Sequence, residues 1–133
     1  MDSKLGSDGI YSSKFSNSDQ GKEIAFRETI SNLQYDNYLE TISRHHSIPV
    51  MDWEVRRILK NLPKKAIILD IGGCWGWQWR KIAKDRPDIN VVIVDFVRQN
   101  LIHAFNLLGE LINNQIVLLH GNATQLPFPD EMF

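Results

Sequence analysis

A single cysteine, Cys74, stands in a chain of 133 residues. No internal disulfide can form, so this is not a small secreted domain held by cross-links, and it fits a reducing compartment. Long apolar runs are missing as well. The longest stretch without a charged residue, 111–129, is broken by Asn113, Asn114, Gln115, His120, Asn122 and Gln125. A bilayer span needs about 20 predominantly apolar residues. The N-terminus opens on Asp2, Ser3 and Lys4 and lacks the apolar core of a secretory signal. A soluble, cytoplasmic protein without a membrane partner is the expectation.

Charge of one sign is not in excess either. Lys and Arg number 15 against 16 Asp and Glu, a net charge of −1. A surface built throughout to hold nucleic acid or anionic lipid is thereby disfavoured. The charge is uneven, however. Residues 54–86 carry nine basic and three acidic side chains, whereas residues 88–133 carry one and five. The basic block reads first as the solvated faces of two helices, and second as a patch for an anionic substrate or RNA. Metal-ligand patterns are lacking. His45 and His46 are sequence neighbours, which diverge by about 100° on a helix, and His103 and His120 are isolated, so no metal site is expected.

What is present is an ordinary globular composition, 43% hydrophobic and 23% charged, at a length that suits one domain. Residues 1–21 are rich in Ser, Gly, Asn and Asp without an apolar period and read as a flexible leader. Residues 22–62 read as a helical segment. Ile24, Phe26, Ile30, Leu33, Tyr38, Leu39 and Ile42 recur at mostly helical spacing up to the punctuation at Ser47, Ile48 and Pro49. A second helix follows, capped by Asp52, with Val55, Ile58, Leu59 and Leu62 on one face and Pro63 as its stop.

The pattern then changes. Residues 66–71, 91–95 and 116–120 are short, β-branched apolar runs without alternation, the mark of strands buried on both faces. Residues 76–85 and 98–113 between them are long enough for crossover helices. Strand, helix, strand, helix, strand predicts an α/β fold, the βαβαβ half of a Rossmann-like doubly wound parallel sheet, with strand order 3-2-1.

Ligands of such sheets bind beyond the carboxyl ends of the strands. After the first strand come Asp70, Ile71, Gly72, Gly73, Cys74, Trp75 and Gly76, a turn whose glycines let backbone N–H groups approach a ligand. The second strand ends in Asp95, 19 residues past Gly76, where a carboxylate can accept hydrogen bonds from ribose hydroxyls. The third leads into Gly121, Asn122 and Ala123, with an amide suited to the edge of a base. Together these describe a nucleoside site. The dinucleotide register Gly-x-Gly-x-x-Gly falls on Gly72, Cys74 and Trp77 and matches once; Gly-x-Gly-x-Gly falls on Gly72, Cys74 and Gly76 and matches twice. Cys74 has no evident partner base and is not read as a nucleophile. On a helix starting near Gly76, Trp75 and Trp79 share a face and Trp77 does not. Trp79 is read as core, and Trp75 as either core or cofactor wall.

Residues 68–76 resemble the first motif of class I S-adenosylmethionine-dependent methyltransferases, residues 92–96 their second, and residues 120–133 their third in the form of the type-11 branch. The resemblance covers about residues 50–133. It implies that Gly72, Gly73 and Gly76 line the methionine part of S-adenosylmethionine and that Asp70 orders the loop. It implies too that Asp95 binds the ribose hydroxyls and Phe96 packs on the adenine. Asn122, where the family more often has Asp, accepts from the adenine amino group, and Ala123 offers its backbone N–H to the ring. Cys74 and Trp75 stand where the motif has smaller residues. Residues 63–133 are then an incomplete cofactor-binding domain and the N-terminal portion of a longer enzyme. The expected activity is methyl transfer to a small-molecule acceptor, with the catalytic base beyond Phe133. The short chain is expected to be inactive alone and to self-associate through an open sheet edge. The alternatives are a non-catalytic nucleoside-binding or interaction module and an NAD-binding oxidoreductase half-domain.

Overall fold

The computed structural model describes residues 3–13, 27–29 and 47–133. Most of the helical segment expected at 22–46 lies outside the described residues; residues 27–29 are helical. Three strands follow the apolar runs closely: β3 (Ile67–Ile71), β4 (Asn90–Asp95) and β5 (Ile116–His120). They pair in parallel in the order β5-β4-β3, with Leu69, Val92 and Val117 level across the sheet. The fold is α/β and Rossmann-like.

The sheet does not stop at β5. Residues 3–13, expected within a flexible leader, form a hairpin of β1 (Ser3–Leu5) and β2 (Tyr11–Ser13). β2 pairs in parallel with β5, so the sheet is mixed and its order is β1-β2-β5-β4-β3. Three contacts bind the hairpin to the body. Ile10 is 1% exposed within the core, Asp8 pairs with Arg98, and Asn113 Nδ2 donates to Gly9 O at 3.2 Å.

Helices cover one face of the sheet. Ile68, Val91, Ile93, Ile116 and Leu118 point there, against Leu59 of α1 (Ser47–Asn61), Ile82 of α2 (Ile82–Asp85) and Leu101, Ala104 and Leu108 of α3 (Arg98–Leu108). The expectation of strands buried on both faces holds on this face and only partly on the other. There Val92 and Val117 are half-buried beneath Phe128 and Met132, while Ile67 and Ile71 on the outer strand β3 are exposed.

Two helix boundaries differ from the expected ones. α1 begins at Ser47 and carries Pro49 inside its first turn, where the missing N–H has no intrahelical partner to lose. Asp52 is therefore not a cap. Its carboxylate pairs with Arg80 at 2.6 Å and Lys81 at 3.2 Å, and the Arg80 hydrogen bond holds its pKa below the usual carboxylate value. The carbonyls of Leu59, Leu62 and Pro63, at and just beyond the helix end, accept from the Arg86 guanidinium, itself paired with Asp88. The first crossover is also shorter than expected: a 3-10 turn, Trp77–Trp79, then the four residues of α2.

Because Ile10 is buried in the same cluster as the strands, Ile10→Ala should lower the unfolding free energy by about 2–5 kcal/mol, as for other large-to-small core changes. Urea denaturation of the two proteins measures it; an unchanged midpoint would mean that the hairpin is not part of the folded unit.

Candidate functional site

Three loops leave the carboxyl edge of the sheet, after β3, β4 and β5, and the backbone ties them together. Gly72 N donates to Val94 O at 2.7 Å, across from the first loop to the second strand. Gly121 N donates to Asp95 O at 3.1 Å, from the third loop to the same strand end. His120 Nε2 donates to Phe96 O at 3.1 Å. Burial lowers the His120 pKa, so the ring is held neutral as a fixed donor.

Asp95 sits between these loops and is 6% exposed. Its Oδ1 accepts from Val97 N at 2.8 Å and Asn100 Nδ2 at 3.4 Å, and its Oδ2 accepts from Cys74 N at 3.1 Å. Burial pushes the carboxyl pKa up from its ordinary value, and the three N–H donors oppose that shift. An ionised carboxylate offers about four acceptor directions. Among the described residues Oδ2 takes one donor and Oδ1 two, so the open direction belongs to Oδ2, the oxygen bonded to the Cys74 amide of the glycine loop.

The glycines of that loop divide by environment. A Cβ on Gly73 would meet Asp70 Oδ2 at 2.6 Å and Ile93 Cγ2 at 2.8 Å, and one on Gly76 would meet Ile93 Cδ1 at 2.5 Å. Those two glycines let the loop pack down on the core. Gly72, with φ +69°, has nothing within 4 Å of a Cβ among the described residues and is the glycine of the loop that they leave open. Asp70 turns under the loop, accepting from Gln78 Nε2 and Trp79 Nε1, each at 2.7 Å. Gln78 and the indole N–H of Trp79 were not read from the sequence as partners of the loop. The Asp70-to-Trp79 spacing across a turn carries no local periodicity that would reveal them.

The remaining expected residues take mixed positions. Phe96 is half-buried, with the Arg27 guanidinium 5.5 Å from its ring centroid. Asn122 Oδ1 accepts from Thr124 N at 2.9 Å and Thr124 Oγ1 at 2.8 Å. Both lone pairs of that oxygen are taken, so what Asn122 has left to present is its NH2 group. Ala123 is exposed beside it. Trp75 is buried edge-on against His103, with centroids 5.9 Å apart, and Trp79 is buried in the core. Cys74 adopts φ +55°, a left-handed conformation that favours glycine. Burial first, then the Asp95 charge, pushes its thiol up to about 11, so it stays protonated and unreactive at neutral pH.

Asp95 also has a structural role. A carboxylate at a strand end would ordinarily be dispensable to the fold, but here two backbone N–H groups from separate loops depend on it. Asp95→Ala should lower stability by about 1–3 kcal/mol, the range for stranding a buried donor, with Asp95→Asn in between because one oxygen remains. Equal denaturation midpoints for wild type and Asp95→Ala would remove Asp95 from any structural role.

No family model matches the chain, and no curated protein matches it. Among solved structures, a crystal structure at 1.15 Å resolution from Methanococcus maripaludis is similar, with a TM-score of 0.51 and 18% sequence identity. That protein is described as a candidate S-adenosyl-L-methionine-dependent methyltransferase. The match covers 86% of this chain and 48% of the other, so the chain spans about half the length of that structure. At this identity the likeness establishes the α/β Rossmann-like fold.

Proposed function

We propose that the carboxyl edge binds the nucleoside part of S-adenosylmethionine and that the protein is the cofactor-binding portion of a methyltransferase. The observation that carries the reading is the Asp95 carboxylate, with Oδ2 held beside the glycine loop by the Cys74 amide at 3.1 Å and, among the described residues, one acceptor direction left on it. The residues fit the group. Oδ2 takes a ribose hydroxyl, Gly72 leaves its open side to the methionine portion, and Phe96 offers a ring face to the adenine. Asn122 meets the base with its NH2, which suits a ring nitrogen rather than an amino group. When bound, the cofactor supplies an electrophilic methyl on a sulfonium, so the chemistry resides largely in the group itself.

The work left to the chain is alignment and exclusion of water, the sources of effective concentration. The bond between Gly72 N and Val94 O and the one between Gly121 N and Asp95 O fix the loops that would align the nucleoside. A small-molecule acceptor is the class that the type-11 resemblance implies, and a reducing cytoplasmic compartment suits the free thiol of Cys74. A non-catalytic nucleoside-binding module would use the same residues and differ only in lacking methyl transfer.

Calorimetry with the chain tests cofactor choice. S-adenosylhomocysteine should bind at one site, and NAD should not, since Cys74 and Trp77 stand where the dinucleotide register needs the glycines that admit a pyrophosphate and pack the helix on the strand. Saturable NAD binding with no heat from S-adenosylhomocysteine would overturn the reading.

A further inference from the structure

The outer face of α1 carries a second constellation, away from the residues of the nucleoside site. Trp53, Arg56, Arg57 and Lys60 fall at i, i+3, i+4 and i+7 and so share one helical face. They line an open groove of about 410 Å³, within the roughly 300–1,000 Å³ range of small-ligand sites. Trp53 is 60% exposed, high for an indole. The Arg57 guanidinium lies 5.9 Å from the Trp53 ring centroid and is steadied by two hydrogen bonds to Glu54, at 3.0 and 2.8 Å. Arg56 and Lys60 also border a neighbouring groove, shared with Leu59, Asp85 and Arg86.

Neighbouring charges leave the groove positive. Asp52 is taken by Arg80 and Lys81, and Asp88 by Arg86. Glu54 is taken by Arg57. Asp85 is the acidic side chain on the second groove. Among the described residues, no ion-pair partner within 4 Å is found for Arg56 or Lys60. The basic block seen in the sequence is thus partly neutralised in the fold, and Arg56 and Lys60, two of its unmatched members, line the groove beside an exposed indole.

We infer that this face of α1 binds single-stranded nucleic acid, with a base stacked on Trp53 and flanking phosphates on Arg56 and Lys60. Stacking platforms with interleaved cations suit single strands, because every base presents a π face and every phosphate a charge. A membrane surface is less well served. Binding to a bilayer needs a continuous apolar helix face to insert; Val55 and Leu59 of α1 are turned into the core, and its exposed apolar residues Val50, Trp53 and Ile58 are interleaved with Glu54, Arg56 and Arg57. The inference stands on charge complementarity and the exposed ring, and does not rest on the methyl-transfer reading.

Fluorescence anisotropy of a labelled oligouridine of about 12 nucleotides, a length that covers typical single-strand sites, tests it on the whole chain. Binding is expected near 50 mM salt, with a log–log salt slope of about −1.4 for two phosphates neutralised. Trp53→Leu should weaken binding by about 5-fold or more, and Trp53→Phe should restore most of it, since a stacked base is worth at least that factor. Arg56→Glu should weaken binding and flatten the slope, whereas Lys4→Glu, the same charge change on β1, should do neither. Circular dichroism confirms that each variant is folded. The proposal is overturned by no binding at low salt, by equal losses in Arg56→Glu and Lys4→Glu, by indifference to Trp53→Leu, or by binding confined to phosphatidylserine vesicles.

Discussion

The buried carboxylate of Asp95 is the group around which the carboxyl edge is arranged. It ends the central strand of the βαβαβ unit and takes N–H groups from the loop after β3 and from its own loop, while its carbonyl takes one from the loop after β5. Removing an ion from water is unfavourable, and the raised pKa records that strain. The loops answer it by converging on the carboxylate. Their convergence in turn brings the three loops together at the carboxyl edge, where the proposed ligand would sit.

This arrangement gives each glycine of the loop a distinct task. Gly73 and Gly76 permit contact with Asp70, Ile93 and Leu108 that a methyl group would forbid, and Gly72 leaves its side of the loop open. Asp70 holds the loop from beneath through Gln78 and Trp79. Cys74 fits as a small, protonated side chain whose useful atom is its backbone nitrogen. A bulky motif loop therefore still keeps its glycine turns and holds the Cys74 amide on Asp95.

Much of the fold was legible because buried parallel strands leave a signature that few other elements share. The β-branched runs at 66–71, 91–95 and 116–120 match the observed strands to within one residue. The N-terminal hairpin escaped notice because its strands are three residues each and largely polar, with a single buried apolar side chain, Ile10, between them. The Asp8-Gly9 pair between Leu5 and Ile10 was a usable turn signal, and Gly9 does adopt φ +80°. Asp52 looks like a cap because a proline in a first turn and one that precedes a helix look alike in sequence. At the site, Asp95 and the glycine loop follow from position at strand ends. That Asn122 would fill its own oxygen with Thr124 depends on local turn geometry, which the residue types alone do not specify.

The pH dependence of two amide resonances tests the central role of Asp95 most directly. In a proton–nitrogen NMR titration, the amides of Cys74 and Val97 should shift together, with one shared midpoint above the ordinary aspartate value of about 3.9. Both N–H groups donate to the one carboxylate, and burial favours its protonated form, so protonation begins at higher pH than for an exposed aspartate. Separate midpoints, or a shared one at or below the ordinary value, would contradict the account.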